Sequence, residues 1–265
     1  MTRMRPFRLM AVLAHPDDES LGIGGTLAKY AADGVETFLL CATRGDGGRY
    51  GSYRPGDPQH PGRAALGDIR EKELRAAASV LGVCDVALLD YRDGELDRAQ
   101  PQEAIAAIAA HLRRVRPDVV ITFGPDGAYG HPDHIALSQL TTGAIVAAGE
   151  PSIAKLYYIA WPEATWAVYQ TAFKKFTSTV DGIERRAVPW PEWEITTMVD
   201  TRAAVSTVWK AIVCHESQMV AYEQLKQLPS DQQTAIWGAQ AFYRVFSRVN
   251  GGRARETDLF EGISR

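Results

Sequence analysis

The chain of 265 residues is 46% hydrophobic and 23% charged, which is typical of a globular protein with one large domain or a core domain plus a smaller appendage. Its formal net charge of -3 gives no electrostatic reason to expect nucleic acid or an anionic membrane as a partner. The three cysteines are odd in number and widely spaced, which argues against a disulfide framework and fits either plain burial or a reducing compartment. The expected location is the cytoplasm.

The predicted elements alternate between strands and helices from the first apolar run onward. Residues 7–14 form a short apolar run typical of a buried parallel strand, and residues 23–32 carry apolar side chains at helical spacing. Further strands are predicted at 36–43, 85–89, 118–123 and 155–160, and further helices at 68–81, 102–115 and 134–148. These repeated βα units predict an α/β fold: a Rossmann-like, mostly parallel, doubly wound sheet with helices on both faces.

The alternation weakens after about residue 165, where 190–199 is predicted to be extended and 201–217 helical. We therefore expect a catalytic core at 1–165 and a C-terminal cap at 166–265 that packs on the core and shapes the substrate pocket. Residues 45–62 are too rich in glycine and proline for regular structure, so this segment is predicted to be either a mobile lid or a disordered excursion.

Unusual polar loops follow four of the predicted strands. The sequences are AHPDDES after the first strand, TRGDGG after the second, LDYRDGE after the third and GPDGAYGHPDH after the fourth. Ligands of open parallel sheets bind beyond the carboxyl ends of the strands, so these loops are expected to share one rim and one site.

The motifs HPDD at 15–18 and HPDH at 131–134 each place possible metal ligands three residues apart on this rim. A catalytic zinc site takes three nitrogen or oxygen ligands and keeps a fourth position open, so His15, Asp18 and His134 are predicted to bind Zn²⁺. The same donors also suit Fe²⁺, Co²⁺ or Mn²⁺. An HPD turn can alternatively be a simple helix cap, but two such turns at strand ends favour a metal site.

Neighbouring residues are predicted to supply the catalytic groups. Asp17 is adjacent to Asp18 and should point elsewhere, which makes it the candidate general base. His131 lies one helical turn before His134 and is expected to stabilise an oxyanion or protonate a leaving amine. Asp133 is a candidate for orienting a ligand histidine by a hydrogen bond.

With these residues in hand, the chain resembles the PIG-L/LmbE family of zinc-dependent de-N-acetylases, which includes the enzymes that deacetylate N-acetylglucosaminyl-inositol and N-acetylglucosaminyl-malate. The resemblance rests on AHPDDESLGIGGTLAKYAADG at 14–34, TRGDGG at 43–48, DIREKEL with LGV at 68–83 and YGHPDHIAL at 129–137. It implies the same zinc ligands, with Asp17 as general base and His131 as its electrostatic partner or acid.

The resemblance also implies that Arg70 and Asp93 bind sugar hydroxyls and that Tyr129 reaches the substrate carbonyl. Without it, a surface charge for Arg70 and a turn cap for Asp93 would be the simpler interpretations. The segment KAIVCHESQ at 210–218 is similar to a later HxSQ-type segment of the family, which places His215 near the rim as a further pocket residue.

The predicted function is hydrolysis of the N-acetyl group of a small molecule or glycoconjugate that contains N-acetylglucosamine. One alternative is an amidase that cleaves a larger amide, such as a thiol-conjugate of a glucosamine-inositol compound. The other is a non-catalytic module that binds a sugar or nucleotide. No nucleic acid partner or membrane insertion is expected, because no apolar run approaches the roughly 20 residues that span a bilayer, and a homo-oligomer remains open.

Overall fold

The computed structural model describes residues 5–172, 177–180, 183–252 and 254–264. The N-terminal elements are β1 (Arg8–Leu13), α1 (Asp18–Ala32), β2 (Glu36–Thr43), α2 (Arg63–Val80), β3 (Asp85–Tyr91), α3 (Pro101–Val115), β4 (Val119–Phe123), α4 (Gly127–Gly130), α5 (Pro132–Ala148) and β5 (Lys155–Ala160). They are followed by α6 (Glu163–Ala172), β6 (Thr177–Val180), β7 (Ile183–Arg186), β8 (Thr197–Asp200), α7 (Val205–Ile212), α8 (Met219–Lys226), α9 (Ser230–Trp237) and β9 (Ala239–Ser247).

Seven of the strands form one sheet in the order β3-β2-β1-β4-β5-β9-β8. Strands β1 to β5 run parallel, whereas β9 is antiparallel to both β5 and β8. The chain leaves β1 towards β2 on one side and returns to pair β4 on the other, so the direction of winding changes between β1 and β4. Ligands of open α/β sheets bind at such a switch point.

The helices form two groups, as expected for a doubly wound sheet. One group contains α1 and α2, which α7 joins, and the other contains α3 and α5. Between them, β1 and β4 are almost completely buried, which is why both read as continuous apolar runs in the sequence. This architecture confirms the predicted α/β, Rossmann-like fold.

The C-terminal segment packs directly on α1. A Cβ atom at Gly25 would lie 2.8 Å from the Cβ atom of Thr201, so the close approach requires a glycine at this position. Nearby, Trp237, Val208 and Ile212 belong to a second apolar cluster that joins α7 and α9. Because β8 and β9 also extend the main sheet, the C-terminal segment contributes both strands to the sheet and helices that cover it. The predicted domain boundary at residue 165 stays a prediction.

Two C-terminal predictions need correction. Residues 190–199 are extended at both ends, but a short 3-10 turn at Glu192–Glu194 interrupts them between Pro191 and Ile195. The helix predicted at 201–217 ends at Ile212: a 3-10 turn at Arg202–Ala204 leads directly into α7, and a second 3-10 turn follows at Glu216–Gln218. Between α7 and the second turn, His215 contacts the buried Glu19, which holds the chain in a different direction. Among the described residues, no helix combines the length and apolar character needed to cross a bilayer.

Candidate metal centre and active site

The site lies at the switch point, where the loops after β1 and β4 meet. His15 follows β1, and Asp18 begins α1. His131 is the residue that caps α5, and His134 lies in the first turn of that helix. All four are at the carboxyl ends of neighbouring strands because β1 pairs directly with β4.

Donor atoms of three side chains lie close together. His15 Nδ1 lies 3.2 Å from His134 Nε2, while the two carboxylate oxygens of Asp18 lie 3.6 Å from His15 Nδ1 and 3.5 Å from His134 Nε2. Donors at the corners of a tetrahedron around zinc, with bonds of about 2.0–2.2 Å, are about 3.3–3.6 Å apart. The residues therefore fit a tetrahedral divalent metal with one position left open.

The opposite nitrogen of His15 is held by carboxylates. His15 Nε2 lies 3.1 Å from Asp133 Oδ2 and 3.1 Å from Asp93 Oδ1. Asp133 is itself fixed, because its carboxylate accepts hydrogen bonds from the backbone N–H groups of Gly94 and Leu96. A histidine whose Nε2–H donates to such a carboxylate presents Nδ1 as the metal-binding atom.

The three carboxylates around His15 favour a positive charge at this position, either a proton on the ring or a bound metal ion. Burial lowers the pKa of His15, but Asp93, Asp133 and Asp18 outweigh it and raise that pKa well above its ordinary value. Burial lowers the pKa of His134 to about 3 despite the nearby Asp18. The second histidine is therefore neutral at pH 7, which is the form in which an imidazole binds a metal.

Asp17 occupies a strained position beside these ligands. Its φ of 114° is in the left-handed region, which a non-glycine residue adopts only when its surroundings enforce it. Its Oδ2 atom accepts hydrogen bonds from Arg70 Nη2 at 2.8 Å and from the Tyr222 hydroxyl at 2.5 Å. Burial raises the pKa of Asp17, and Arg70 opposes that shift.

His131 both caps a helix and lies beside the rings of His15 and His134. Its Nδ1 accepts the backbone N–H of Asp133 at 3.2 Å, so the proton of the neutral ring belongs on Nε2. The ring centroid lies 4.7 Å from that of His15 and 4.9 Å from that of His134. Burial and the charge of His15 lower the pKa of His131 to about 4.

The three residues expected to bind substrate all lie at the site, where Arg70 and Asp93 hydrogen-bond to other parts of the protein. Arg70 is only 4% exposed and also donates to the backbone carbonyls of Gly45 and Pro16. Asp93 Oδ2 accepts the Gly47 N–H at 3.0 Å, in addition to the contact of Oδ1 with His15. The Tyr129 ring lies 5.3 Å from that of His134. Their roles towards a sugar stay a prediction.

His215 is fully buried behind the site, where it contacts Glu19. Its Nε2 is 2.7 Å from Glu19 Oε1, and Glu19 Oε2 accepts the backbone N–H of Asp17 at 2.9 Å. Glu19 and Tyr222 are two site residues that the sequence analysis missed. Glu19 lies within the AHPDDES motif, whereas Tyr222 belongs to an ordinary short helix and carries no local signal.

The segment 45–62 is a series of turns that is hydrogen-bonded to the C-terminal segment. The Gly51 N–H donates to the Ser217 carbonyl at 2.7 Å, and Gln218 Nε2 donates to the Arg49 carbonyl at 2.7 Å. Ser217 and Gln218 belong to the HESQ sequence that follows α7. This sequence therefore joins the loop after β2 to the site.

An open α/β sheet that gathers two histidines and two aspartates at its switch point is typical of a metal-dependent enzyme. Residues 10–145 match the family described as GlcNAc-PI de-N-acetylase, PIG-L. The 1D-myo-inositol 2-acetamido-2-deoxy-alpha-D-glucopyranoside deacetylase of Kineococcus radiotolerans is 34% identical over 98% of this chain and 84% of its own. The enzyme of the same name from Rhodococcus jostii is 34% identical over 97% of this chain and 98% of its own. The chain belongs to the PIG-L family of de-N-acetylases.

Solved structures of similar fold carry more than one activity. GalB, the 4-carboxy-2-hydroxymuconate hydratase from Pseudomonas putida, aligns with a TM-score of 0.68 at 21% identity, over 94% of this chain and 100% of its own. The N,N'-diacetylchitobiose deacetylase from Pyrococcus horikoshii aligns with a TM-score of 0.64 at 21% identity, over 90% of this chain and 83% of its own. At these identities the likeness shows the fold alone.

Proposed function

We propose that the protein hydrolyses the acetamide of an N-acetylglucosaminyl-inositol or a closely similar N-acetylglucosaminide, releasing acetate and the free amine. The relatives at 34% identity, whose names state this activity, support the substrate class. The observation that carries the proposal is the group of donor atoms on His15, Asp18 and His134, whose separations of 3.2–3.6 Å suit a tetrahedral metal.

The proposed cofactor is Zn²⁺, held by His15 Nδ1, His134 Nε2 and the Asp18 carboxylate. These nitrogen and oxygen donors suit zinc, and Fe²⁺, Co²⁺ or Mn²⁺ remain possible where zinc is scarce. When bound, the ion would polarise the acetamide carbonyl and acidify a water molecule. Asp133 would keep His15 in the tautomer that binds through Nδ1.

Asp17 is the proposed general base. Its Oδ1 would accept a proton as a water oxygen attacks the carbonyl carbon. Asp17 would then donate the same proton to the leaving nitrogen as the C–N bond breaks. Its Oδ2 is already engaged by Arg70 and Tyr222, so only one oxygen remains for this transfer.

His131 is the proposed stabiliser of the developing oxyanion. The hydrogen bond from the Asp133 N–H to Nδ1 leaves Nε2–H as a donor, and helix α5 fixes the direction of the ring. Tyr129, beside it, is proposed to contact the substrate carbonyl. Arg70 and Asp93 are proposed to hydrogen-bond to the sugar hydroxyls when substrate binds.

The test is amine release from a panel of N-acetylglucosaminides that includes N-acetylglucosaminyl-inositol. Zinc-loaded protein, chelated protein and Asp17→Asn are compared, with metal content measured for each. We expect release only by zinc-loaded wild type and a loss of about 10²- to 10⁴-fold in Asp17→Asn with its metal retained. An active, metal-loaded Asp17→Asn would exclude Asp17 as the base.

The acyl group is tested with the same panel. Acetyl, butyryl and larger acyl derivatives of one glucosaminide separate a deacetylase from an amidase that cleaves a larger amide. We expect the acetyl compound to be fastest; preference for the bulkiest acyl group would support the amidase instead. Tight binding of sugars without turnover by zinc-loaded protein would support a non-catalytic module.

We also propose that the protein acts in the cytoplasm on a small molecule. Its three cysteines, Cys41, Cys84 and Cys214, form no disulfide, as expected in a reducing compartment. Fractionation of cells that express a tagged chain would test this location. Recovery in the periplasm or in culture medium would contradict it.

A further inference from the structure

The backbone of Asp17 is held in its strained conformation by a buried carboxylate. Glu19 Oε2 accepts the Asp17 N–H at 2.9 Å, and Glu19 Oε1 is fixed by His215 Nε2 and the Ser20 hydroxyl at 2.7 and 2.6 Å. Glu19, Ser20 and His215 are all completely buried. These buried contacts of Glu19 therefore fix the position of the Asp17 backbone.

The carboxylate of Asp17 is held separately, and only through one oxygen. Arg70 Nη2 and the Tyr222 hydroxyl both donate to Oδ2, at 2.8 and 2.5 Å. Within the part of the chain that the structure describes, Oδ1 accepts no hydrogen bond from a side chain or the backbone. Two donors on one oxygen fix the rotation of the carboxylate plane, which gives the other oxygen a single direction.

The two donors come from different parts of the chain. Arg70 is on α2 and is anchored by the carbonyls of Gly45 and Pro16, whereas Tyr222 is on α8, in the C-terminal segment. Tyr222 brings no charge to the site. Burial and the nearby Asp17 raise the pKa of Tyr222 well above its ordinary value, so the phenol keeps the proton that it donates.

We propose that Tyr222 is a positioning residue for the general base: its hydroxyl, with Arg70, locks Asp17 Oδ2 so that Oδ1 points to the reacting water. The inference rests on the proposed function, in which Asp17 is the base. It assigns to the C-terminal segment a part in orienting the general base, in addition to the predicted shaping of the substrate pocket. A catalytic group misplaced by about 1 Å can lose about 10²-fold in rate.

The test compares Tyr222→Phe with wild type on the fastest N-acetylglucosaminide of the panel. We expect kcat to fall by about 10- to 100-fold, because the base becomes free to rotate. KM and metal content should stay within about twofold of wild type, because neither the metal ligands nor the proposed sugar contacts change. An unchanged kcat, or a change confined to KM, would overturn the inference.

Tyr157→Phe is the matched control. The Tyr157 hydroxyl donates to Glu256 Oε2 at 2.7 Å, which is also a buried phenol–carboxylate hydrogen bond, but it lies in the sheet core on β5. This variant should lower the melting temperature and keep kcat. If Tyr157→Phe lowers kcat as much as Tyr222→Phe does, the effect is one of general stability and the inference fails.

A double variant separates action through Asp17 from direct contact with substrate. In the Asp17→Asn background, adding Tyr222→Phe should change kcat by less than about twofold, because residues that act as a unit are strongly non-additive. Additive losses would mean that Tyr222 acts on the substrate itself and would overturn the inference. A zinc-loaded wild type that turns over nothing would instead refute the proposed function, on which the inference depends.

Discussion

His15 Nδ1 lies 3.2 Å from His134 Nε2, although 119 residues separate the two histidines in the chain. The contact exists because β1 and β4 pair in parallel and each is followed by a short polar loop. Neither loop could form the site alone. The first supplies one histidine and the aspartates, and the second supplies the other histidine and His131.

Replacing His134, a proposed metal ligand, should strongly weaken metal binding. We expect His134→Ala to weaken binding by more than about 100-fold, since loss of an outer hydrogen-bond partner alone costs about 10- to 100-fold. Metal content after gel filtration and calorimetric titration with Zn²⁺ would measure this. His111→Ala is the control, because His111 lies on α3 beside Arg114 and Asp85. Equal zinc affinity in His134→Ala and wild type would contradict the ligand assignment.

Asp133→Asn should lower metal affinity without removing a ligand. The amide cannot stabilise the His15 Nε2–H as a carboxylate does, so we expect a loss of about 10- to 100-fold in zinc affinity. Asp118→Asn is matched, because Asp118 is also a buried carboxylate that accepts a backbone N–H, from Arg8 at 2.8 Å. It should cost stability and leave zinc affinity unchanged. An equal loss of zinc affinity in both variants would indicate a general structural effect.

Gly45→Ala should disturb Arg70, whereas Gly51→Ala should not. Both glycines have a left-handed φ, of 62° and 59°, so each alanine costs about 1–2 kcal/mol of backbone strain. A Cβ atom at position 45 would overlap the Arg70 guanidinium, and at position 51 it meets nothing within 4 Å. We therefore expect about a tenfold fall in kcat for Gly45→Ala alone. Similar kcat values for the two variants would show that the position of Arg70 has no effect on turnover.

Glu256→Gln should destabilise the C-terminal part of the sheet in a pH-dependent way. The carboxylate pairs with Lys155 and Arg244 at 2.7 Å and is almost completely buried. Breaking such a pair typically costs about 3–5 kcal/mol, because a buried charge loses its partner.

The pH dependence follows from the lowered pKa of Glu256. Burial opposes ionisation, but Lys155, Asn250, Tyr157 and Thr197 hold the pKa at about 2, below its ordinary value of 4.5. The stabilisation is therefore complete above pH 4.5 and is lost as the pH falls towards 2. Urea unfolding of wild type and Glu256→Gln at pH 7, 4 and 3 should show a shrinking difference. A difference that is constant with pH would contradict the assignment.

The sequence determined the fold class and the rim on which the site lies. Buried parallel strands produce apolar runs such as those of β1 and β4, and helices on a sheet repeat their apolar residues at 3.6-residue spacing, so local patterns were sufficient. The two HPD motifs were also local. Each predicted ligand precedes or begins a helix, and the family resemblance agreed with the residues chosen from spacing.

Only the tertiary structure decided how the chemical groups are held. Tyr222 reaches Asp17 across 205 residues, and His215 reaches Glu19 across 196, through the packing of the C-terminal segment against α1. Arg70 and Asp93 are engaged by Asp17 and His15 of the loop after β1, although the family resemblance implied sugar binding for both. Hydrogen bonds between such distant residues depend on atomic positions that only the assembled sheet and helices fix. Residue spacing along the chain therefore does not predict them.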